Sequence, residues 1–284
     1  MFTPEDIIRS YENDGFSLIP ECLSVAEVAG LRSRLPRLLE TAGPQRVFEK
    51  DGAAIRSIYG PHLSDDLFDD VAHDSRILGL AQRILGDDVY IYQSKINLKK
   101  KLCGDMWAWH QDYIFWLQED AVLQPDLTTA VVFLDDVDES NGPMLFVPGS
   151  HKEGVAGARV LDAAPAGYEN DPAWISNLTA DLKYSIDAAT LAMRMAECGV
   201  AAPQGRRGSL MFLHANVFHS SQPNLSSRDR VLLLITYNSI HNIPKPVANP
   251  RPEFLCSRNT AAVRVNDRFC TRVAPQGRCA GPVC

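Results

Sequence analysis

The chain lacks long apolar runs, a surplus of basic residues and a basic leader, and each absence excludes a class of protein. No stretch approaches the roughly 18 consecutive apolar residues of a membrane-spanning helix, so we expect no membrane span. The net charge of −7 argues against a nucleic-acid partner, because phosphate binding depends on Lys and Arg. The N-terminus, Met-Phe-Thr-Pro-Glu-Asp, has no signal-peptide pattern, so we expect a cytoplasmic protein.

The chain also lacks any Cys-x-x-Cys pair, although it contains seven cysteines, at positions 22, 103, 198, 256, 270, 279 and 284. Without that spacing a zinc or redox site is not indicated. We interpret the odd, scattered set as reduced thiols. The last three lie in 259–284, a segment whose end is rich in Pro, Gly and Arg and which we expect to be a loosely ordered tail.

At 284 residues the chain is long enough for one large domain and needs no second core, so we expect 1–284 to be a single domain. Residues 1–88 carry mostly helical signals. Capping boxes begin at Thr3 and Ser24, and Pro36 is expected to kink or end the second helix. This part predicts a helical support for whatever follows.

From residue 89 the apolar pattern changes to a period of two, which is typical of strands. The candidate strands are 89–98, 106–115, 128–135, 143–147, 209–213 and 230–239. Short strands in this number predict a mainly β fold with flanking helices and a double-stranded β-helix (jelly-roll) core, which we assign to 89–151 and 207–258. The interruption at 152–206, with a helical patch around 186–197, is where a lid-like insertion is expected.

The most informative pattern is Trp-Ala-Trp-His-Gln-Asp-Tyr, in which His110 and Asp112 stand two residues apart. On a strand such residues face the same side, so an imidazole and a carboxylate can bind one metal ion. His219, in Val-Phe-His-Ser-Ser, can supply a third ligand. Such a 2-His-1-carboxylate face leaves coordination positions open and suits a non-haem Fe(II) enzyme that binds a cosubstrate and O₂ together.

Two other histidines compete for the third position. His214 precedes His219 by five residues, so on an extended segment the two would face opposite sides. His151 belongs to a Pro-Gly-Ser-His turn, where a structural role is the simpler interpretation. The simpler interpretation of His110 is a histidine packed among neighbouring tryptophans.

Arg228 and Arg230 both follow His219 and are candidates for binding an anionic cosubstrate. Arg230 begins an apolar run, 230–235, where its guanidinium must find a partner, whereas Arg228 lies in a polar turn. A guanidinium matches a carboxylate through two parallel hydrogen bonds. The basic cluster 95–101 is either a solvated strand end or part of the same anionic site.

Several longer motifs accompany these residues: Gln93-Ser-Lys-Ile-Asn97, Trp109-His-Gln-Asp112, Trp116-Leu-Gln-Glu-Asp120, Asn141-Gly-Pro-Met-Leu-Phe-Val-Pro-Gly-Ser-His151, Asn216-Val-Phe-His-Ser-Ser221 and Arg251-Pro-Glu-Phe-Leu255. Over 90–151 and 209–258 the chain thereby resembles the phytanoyl-CoA dioxygenase superfamily of Fe(II)/2-oxoglutarate oxygenases. Within that superfamily it is most similar to ectoine hydroxylases and related bacterial hydroxylases of free amino acids. The resemblance implies Fe(II) as cofactor, with 2-oxoglutarate and O₂ as cosubstrates.

The resemblance also implies roles for individual residues. They are the Fe(II) ligands His110, Asp112 and His219, the 2-oxoglutarate contacts Arg230, Asn97, Thr129 and Ser221, and the substrate contacts Gln93 and Trp116. The distance of eleven residues from His219 selects Arg230 over Arg228. An ordinary strand glutamine and a core tryptophan remain the alternatives for the two substrate contacts.

The implied activity is hydroxylation of an unactivated side-chain carbon in a small free amino acid or similar zwitterion, in specialised metabolite biosynthesis. Ectoine 5-hydroxylation is the alternative, yet the chain has Ile114, Phe115 and Leu117 where ectoine hydroxylases carry more polar residues. An apolar lining favours an aliphatic or cyclic amino acid over ectoine. Asp112 favours hydroxylation over halogenation, for which that ligand is replaced by a small residue.

Two other classes of protein fit the sequence less well. Arg230 argues against a cupin-like metalloenzyme that works without 2-oxoglutarate. The complete His-Asp-His set argues against a non-catalytic metal or small-molecule binding module. We therefore expect a small amino-acid-like partner, no nucleic acid and no membrane, and a monomer or homodimer.

Overall fold

A computed structural model describes residues 3–161, 165, 167–169 and 171–273. Its helices are α1 (Pro4–Asp14), α2 (Val25–Glu40), α3 (Asp66–Ala72), α4 (Ser75–Leu85), α5 (Asp112–Asp120), α6 (Ala188–Cys198) and α7 (Arg268–Val273). Its strands are β1 (Phe16–Ile19), β2 (Arg46–Phe48), β3 (Ile55–Tyr59), β4 (Val89–Lys99), β5 (Trp107–His110), β6 (Leu127–Phe133), β7 (Met144–Phe146), β8 (Ala158–Val160), β9 (Tyr184–Ile186), β10 (Leu210–His214), β11 (His219–Ser221) and β12 (Arg230–Ser239). None of the described helices has the length and apolar character needed to cross a bilayer.

Two antiparallel sheets form the jelly-roll core. The larger has the strand order β1-β10-β6-β12-β4-β3-β2, and the smaller has the order β5-β11-β7. A cluster of apolar side chains joins them, with Phe146 of the small sheet packed among residues such as Val131 and Leu232 of the large one. The predicted mainly β fold with flanking helices is confirmed, and β8 and β9 form a separate hairpin within the 152–206 segment.

Strand β12 shows how the sequence separates the two faces of the large sheet. Val231, Leu233 and Ile235 belong to the cluster formed with α1 to α4. Leu232 and Leu234 belong to the cluster between the sheets. Because side chains alternate along a strand, Arg230 is directed to the same interior side as Leu232.

Strand β4 carries a bulge at Tyr92, so the consecutive side chains of Tyr92 and Gln93 both lie beside the interior. Thr236 pairs with Gln93 and Tyr237 pairs with Ile91, so Tyr92 has no partner of its own on β12. A bulge shifts the alternation by one residue. Tyr92 therefore packs near α5, and Gln93 starts a stripe of interior-facing positions along the rest of β4.

The predicted strand 106–115 is wrong in its second half. The strand ends at His110, and α5 runs from Asp112 to Asp120 after Gln111 at its N-cap. Four consecutive residues of α5, from Tyr113 to Trp116, are buried, so no polar face reveals a helical period. Their aromatic and β-branched character resembles that of a strand, and the burial of the helix decides otherwise.

The N-terminal support contains more than helices. Capping boxes are present at Thr3 and Ser24, as predicted, but α2 continues past the exposed Pro36 to Glu40. The buried Leu35 and Leu38 on either side of Pro36 hold that last turn against the core. Three short strands, β1, β2 and β3, also lie inside 1–88 and form the two edges of the large sheet.

The described part of the predicted tail is ordered against the helices. Phe269 in α7 is fully buried in the helix-sheet core, so a loose tail is wrong up to residue 273. Residues 274–284, including Cys279 and Cys284, lie outside the described residues. Of the other cysteines, four are free thiols, at 22, 103, 198 and 256, and Cys270 is disulfide-bonded, so the expectation of reduced thiols fails at Cys270.

A buried ion-pair network joins α2 to α4 and gives a first prediction. Arg76 donates to Glu27 at 2.6 Å and to Asp74 at 2.8 Å, and all three are buried. Arg76→Met leaves two buried carboxylates unpaired, so we expect a loss of about 3–5 kcal/mol in the free energy of unfolding. Arg83→Met, which removes an exposed ion pair with Glu5, should cost less than about 1 kcal/mol. Denaturant titration of both variants measures the difference, and equal losses would contradict it.

Candidate metal centre and its two cavities

Pairing of β5 with β11 brings two histidines together. His110 and His219 are directly opposite each other in the small sheet, and their ring centroids are 4.1 Å apart. Asp112 approaches from the first turn of α5, with its Oδ1 at 3.6 Å from His110 Nε2 and 3.9 Å from His219 Nε2. One ligand atom from each residue thus lies within 4.8 Å of the other two.

Backbone carbonyls orient both imidazoles. His110 Nδ1 is 2.7 Å from the carbonyl of Ala108, and His219 Nδ1 is 3.0 Å from the carbonyl of Val217. Each Nδ1 therefore carries the proton and donates it, which leaves the Nε2 lone pair free on the side of Asp112. Such a contact fixes the tautomer and the ring orientation of a metal-binding histidine.

The protonation states also suit a metal ion. Burial lowers the pKa of His219 to about 4, so its imidazole is neutral near pH 7. Burial by itself would raise the pKa of Asp112, but His219, His110 and Lys95 outweigh it and hold that pKa below its ordinary value. Two imidazole nitrogens and one carboxylate on one side of a shared space fit the Fe(II) face of non-haem oxygenases.

The alternative histidines lie elsewhere. His214 ends β10 in the large sheet, and the chain crosses to the small sheet before His219 begins β11. His214 Nδ1 accepts the backbone N–H of Asn216 at 3.0 Å, and its ring lies 4.9 Å from that of His151. Sheet crossing, rather than alternation along one extended segment, separates His214 from His219.

Two cavities meet at the metal centre. Both are lined by Lys95, Trp107, His110 and Asp112. One, the Arg230 cavity, continues to Asn97, Ser221 and Arg230. The other, the Trp116 cavity, continues to Gln93, Phe115, Trp116, Asn177 and Arg251. The metal centre therefore has a separate cavity on each of two sides.

The Arg230 cavity contains a buried cation without an anion. Arg230 is 1 % exposed, and its Nη2 donates to Asn97 Oδ1 at 3.3 Å. Its Nε and the hydroxyl of Ser221 have no hydrogen-bond partner among the described residues. Burial, with a contribution from Arg56, lowers the pKa of Arg230 to about 9. A buried guanidinium in this state is stabilised by a carboxylate, so the cavity fits the distal end of 2-oxoglutarate.

Strand β4 places two lysines near this side of the site. Lys95 lines both cavities. Lys99 is 1 % exposed, its Nζ donates to the carbonyls of Asp105 and Gln222, and burial lowers its pKa to about 6. A solvated strand end is therefore the wrong interpretation of Lys99. The sequence signal for one site-facing stripe was a polar residue at every second position of β4: Gln93, Lys95, Asn97 and Lys99.

Thr129 is the one predicted cosubstrate contact that lines neither cavity. Its hydroxyl is 2.9 Å from that of Thr236 on the neighbouring strand β12. Since Thr129 shares the interior side of the sheet with Val131, its role toward 2-oxoglutarate stays a prediction.

The Trp116 cavity combines aromatic walls with polar groups. Trp116 packs edge-on against Tyr92, with ring centroids 5.5 Å apart, and Gln93 Nε2 donates to the carbonyl of Leu255 at 2.7 Å. Of the three apolar departures noted in the sequence, Phe115 lines this cavity. Ile114 and Leu117 pack into the surrounding core instead.

Arg251 was missed as a site residue, although its motif was recognised. Its Nε donates to Asp120 Oδ1 at 2.9 Å, its Nη2 donates to Asp120 Oδ2, and Tyr92 donates to the same carboxylate. This buried pair anchors the segment after β12 to the end of α5, beside the substrate contacts. No short-range spacing links residues 120 and 251, so only the fold could reveal the pair.

Comparison with known proteins agrees with this geometry. Residues 11–232 match the phytanoyl-CoA dioxygenase (PhyH) family. An L-proline trans-4-hydroxylase of Streptomyces griseoviridis is 36 % identical over 254 residues, covering 89 % of this chain and 92 % of its own. An ectoine dioxygenase of Bordetella bronchiseptica is 31 % identical over 271 residues, covering 92 % and 85 %.

A solved structure shares the whole architecture. It is EctD from S. alaskensis with 2-oxoglutarate and 5-hydroxyectoine, with a TM-score of 0.76, 27 % identity, and coverage of 91 % of this chain and 86 % of its own. Family, relatives and fold coincide with a His-Asp-His centre between two cavities. The chain belongs to the phytanoyl-CoA dioxygenase family and is an Fe(II)/2-oxoglutarate-dependent dioxygenase.

Proposed function

We propose that the enzyme hydroxylates an unactivated side-chain carbon of a small free amino acid, and that a cyclic one such as L-proline is preferred. The observation that carries the proposal is the pair of cavities that meet at His110 and Asp112. One offers a buried cation for a dicarboxylate, and the other offers aromatic walls with a few polar groups for the substrate. The similarity to an L-proline trans-4-hydroxylase supports the substrate class.

In this proposal His110, Asp112 and His219 hold Fe(II), and Arg230 binds the distal carboxylate of 2-oxoglutarate with help from Asn97, Ser221 and Thr129. Bound iron supplies the O₂ activation that couples 2-oxoglutarate decarboxylation to C–H hydroxylation. The protein's residues position the reactants: the backbone contacts of the two imidazoles fix the ligands, and the buried Arg230 orients the cosubstrate from the far end of its cavity.

On the substrate side we assign contacts to Gln93 and Trp116, with Phe115 supplying apolar surface. The segment 152–206 acts as a lid in this proposal. Its Lys183 and Tyr184 both donate to Glu119 at 2.7 Å, which ties the segment to α5 directly beside the cavity. A lid closed in this way would exclude water from the reacting carbon.

Ectoine is the second candidate substrate, supported by the ectoine dioxygenases among the relatives. The aromatic ring of Phe115 in the cavity wall argues for a substrate with a less polar ring than ectoine.

We further propose that the enzyme acts in the cytoplasm as a monomer or homodimer without a nucleic-acid partner. Four of the five described cysteines are free thiols, all but Cys270, which supports the location. The net charge of −7 supports the lack of a nucleic-acid partner.

A substrate panel tests the proposal. With Fe(II) and 2-oxoglutarate, we expect L-proline or L-pipecolate to give about 10-fold or more succinate than ectoine gives. Burying one or two methylenes and avoiding one unpaired polar group stabilise the bound substrate enough for a difference of that size. Mass spectrometry should find one added oxygen on a side-chain carbon. If ectoine is turned over best, the substrate preference is wrong while the enzyme class stands.

A further inference from the structure

Asn177 is a buried side chain whose amide is left unpaired. It ends the 3-10 turn Ala173–Asn177 and is 4 % exposed. Neither its Oδ1 nor its Nδ2 has a hydrogen-bond partner among the described residues. A buried amide that loses its hydrogen bonds to water and forms no others destabilises a folded protein. We therefore expect a ligand to form hydrogen bonds with this amide.

Packing holds Asn177 in this position. Ile175 and Leu178, on either side of it, are buried in a cluster with Tyr59 and Leu255. The backbone N–H of Leu178 donates to the carbonyl of Ile175 at 2.8 Å. These contacts hold the backbone of Asn177 against the core, where its side chain is buried.

The amide lies in the wall of the Trp116 cavity, which is also lined by His110 and Asp112. Arg251 lines the same cavity and binds Asp120 through its Nε and Nη2. Asn177 thus brings an unpaired donor and an unpaired acceptor to the wall of the space beside the metal centre.

We infer that Asn177 binds the polar head of the amino-acid substrate and thereby selects free α-amino acids, an inference that rests on the proposed function. Its Nδ2 donates to the substrate carboxylate, and its Oδ1 accepts from the substrate ammonium. Both groups of a free α-amino acid sit on one carbon, so a single carboxamide can reach both. The side chain of the substrate is left facing the iron.

The variant Asn177→Leu tests this with two readouts: substrate binding should weaken, while the stability of the substrate-free protein should not fall. The apparent KM for L-proline should rise about 10- to 100-fold, because hydrogen bonds to charged groups are lost. The KM for 2-oxoglutarate should stay unchanged. The Tm of the substrate-free protein should stay equal or rise, because leucine has a similar volume and removes an unpaired buried amide.

Asn141→Leu is the matched control. Asn141 is also buried, but its Nδ2 donates to the carbonyl of Asp136 at 2.7 Å and its Oδ1 accepts the N–H of Asp138 at 3.0 Å. We expect its Tm to fall by about 2–5 °C with the KM for L-proline unchanged. A comparable fall in Tm for Asn177→Leu would assign Asn177 a structural role and overturn the inference.

L-proline methyl ester separates this inference from the proposed function. Wild type should prefer L-proline over the ester, and Asn177→Leu should lose most of that preference. Wild-type protein that makes no succinate with either L-proline or L-pipecolate overturns the proposed function and, with it, the substrate assigned to Asn177. An active Asn177→Leu variant with unchanged KM and unchanged ester discrimination overturns the inference alone.

Discussion

Replacing His219 by alanine is expected to abolish Fe(II)-dependent succinate formation and leave the fold intact. The loss should exceed about 100-fold, since removing only an outer contact of a metal ligand typically costs 10- to 100-fold. His219 and His110 are cross-strand neighbours whose free Nε2 atoms face Asp112, so no other described side chain replaces the missing donor at that place. Equilibrium dialysis with Fe(II), circular dichroism and the succinate assay together measure metal, fold and activity.

His214→Ala is the control for this prediction. It removes a half-buried imidazole that lies outside both cavities, so metal binding and the KM for 2-oxoglutarate should be retained. Asp112→Gly is expected to be milder than the histidine variants, because water or chloride can fill the vacated position. Full metal binding in His219→Ala with loss in His214→Ala would reverse the ligand assignment.

The metal ligands were predictable because their chemistry is local in the sequence, but the geometry behind them was not. His110 and Asp112 were expected to share one strand, yet the strand stops at His110 and Asp112 opens a helix. The two side chains still converge because Gln111 remains extended before the helix begins. The sequence pattern therefore correctly predicted that His110 and Asp112 lie side by side, although it wrongly predicted that one strand carries both.

The jelly-roll core was predictable from the period-two pattern, most directly in 230–239, which matches β12 residue for residue. Short elements were harder. β11 has three residues and carries His219, but its pairing with β5 and β7 depends on partners more than sixty residues away. Such strands are stabilised by their neighbours rather than by their own composition.

The substrate side was the least predictable part of the site. Asn177 and Arg251 are more than seventy residues apart, and each reaches the cavity through packing of segments with no regular pattern of their own. Lys95 and Lys99 differ from them, because their alternation with Gln93 and Asn97 was visible in the sequence. The sequence pattern did not show that β4 is buried on both faces.

Arg230→Leu is expected to raise the apparent KM for 2-oxoglutarate by about 100-fold or more. The reason is that losing one partner of a desolvated charge pair typically costs roughly 2–5 kcal/mol. Arg230 is buried and forms no ion pair with the described residues, so the carboxylate of the cosubstrate is the partner that its charge requires. Arg230→Lys should recover only part of the affinity, because an ammonium lacks the planar two-pronged match.

Arg228→Leu provides the control two residues away. Arg228 is mostly exposed and pairs with Asp138 at the surface, so its loss should change the KM for 2-oxoglutarate by less than about threefold. Titrating 2-oxoglutarate at saturating amino acid measures the three variants under one condition. Because Arg230→Leu also removes a buried positive charge, the substrate-free protein should keep its Tm or gain in Tm while it loses cosubstrate affinity. A large fall in Tm with an unchanged KM would instead make Arg230 a structural residue and leave the cosubstrate carboxylate to Lys95, which also lines the cavity.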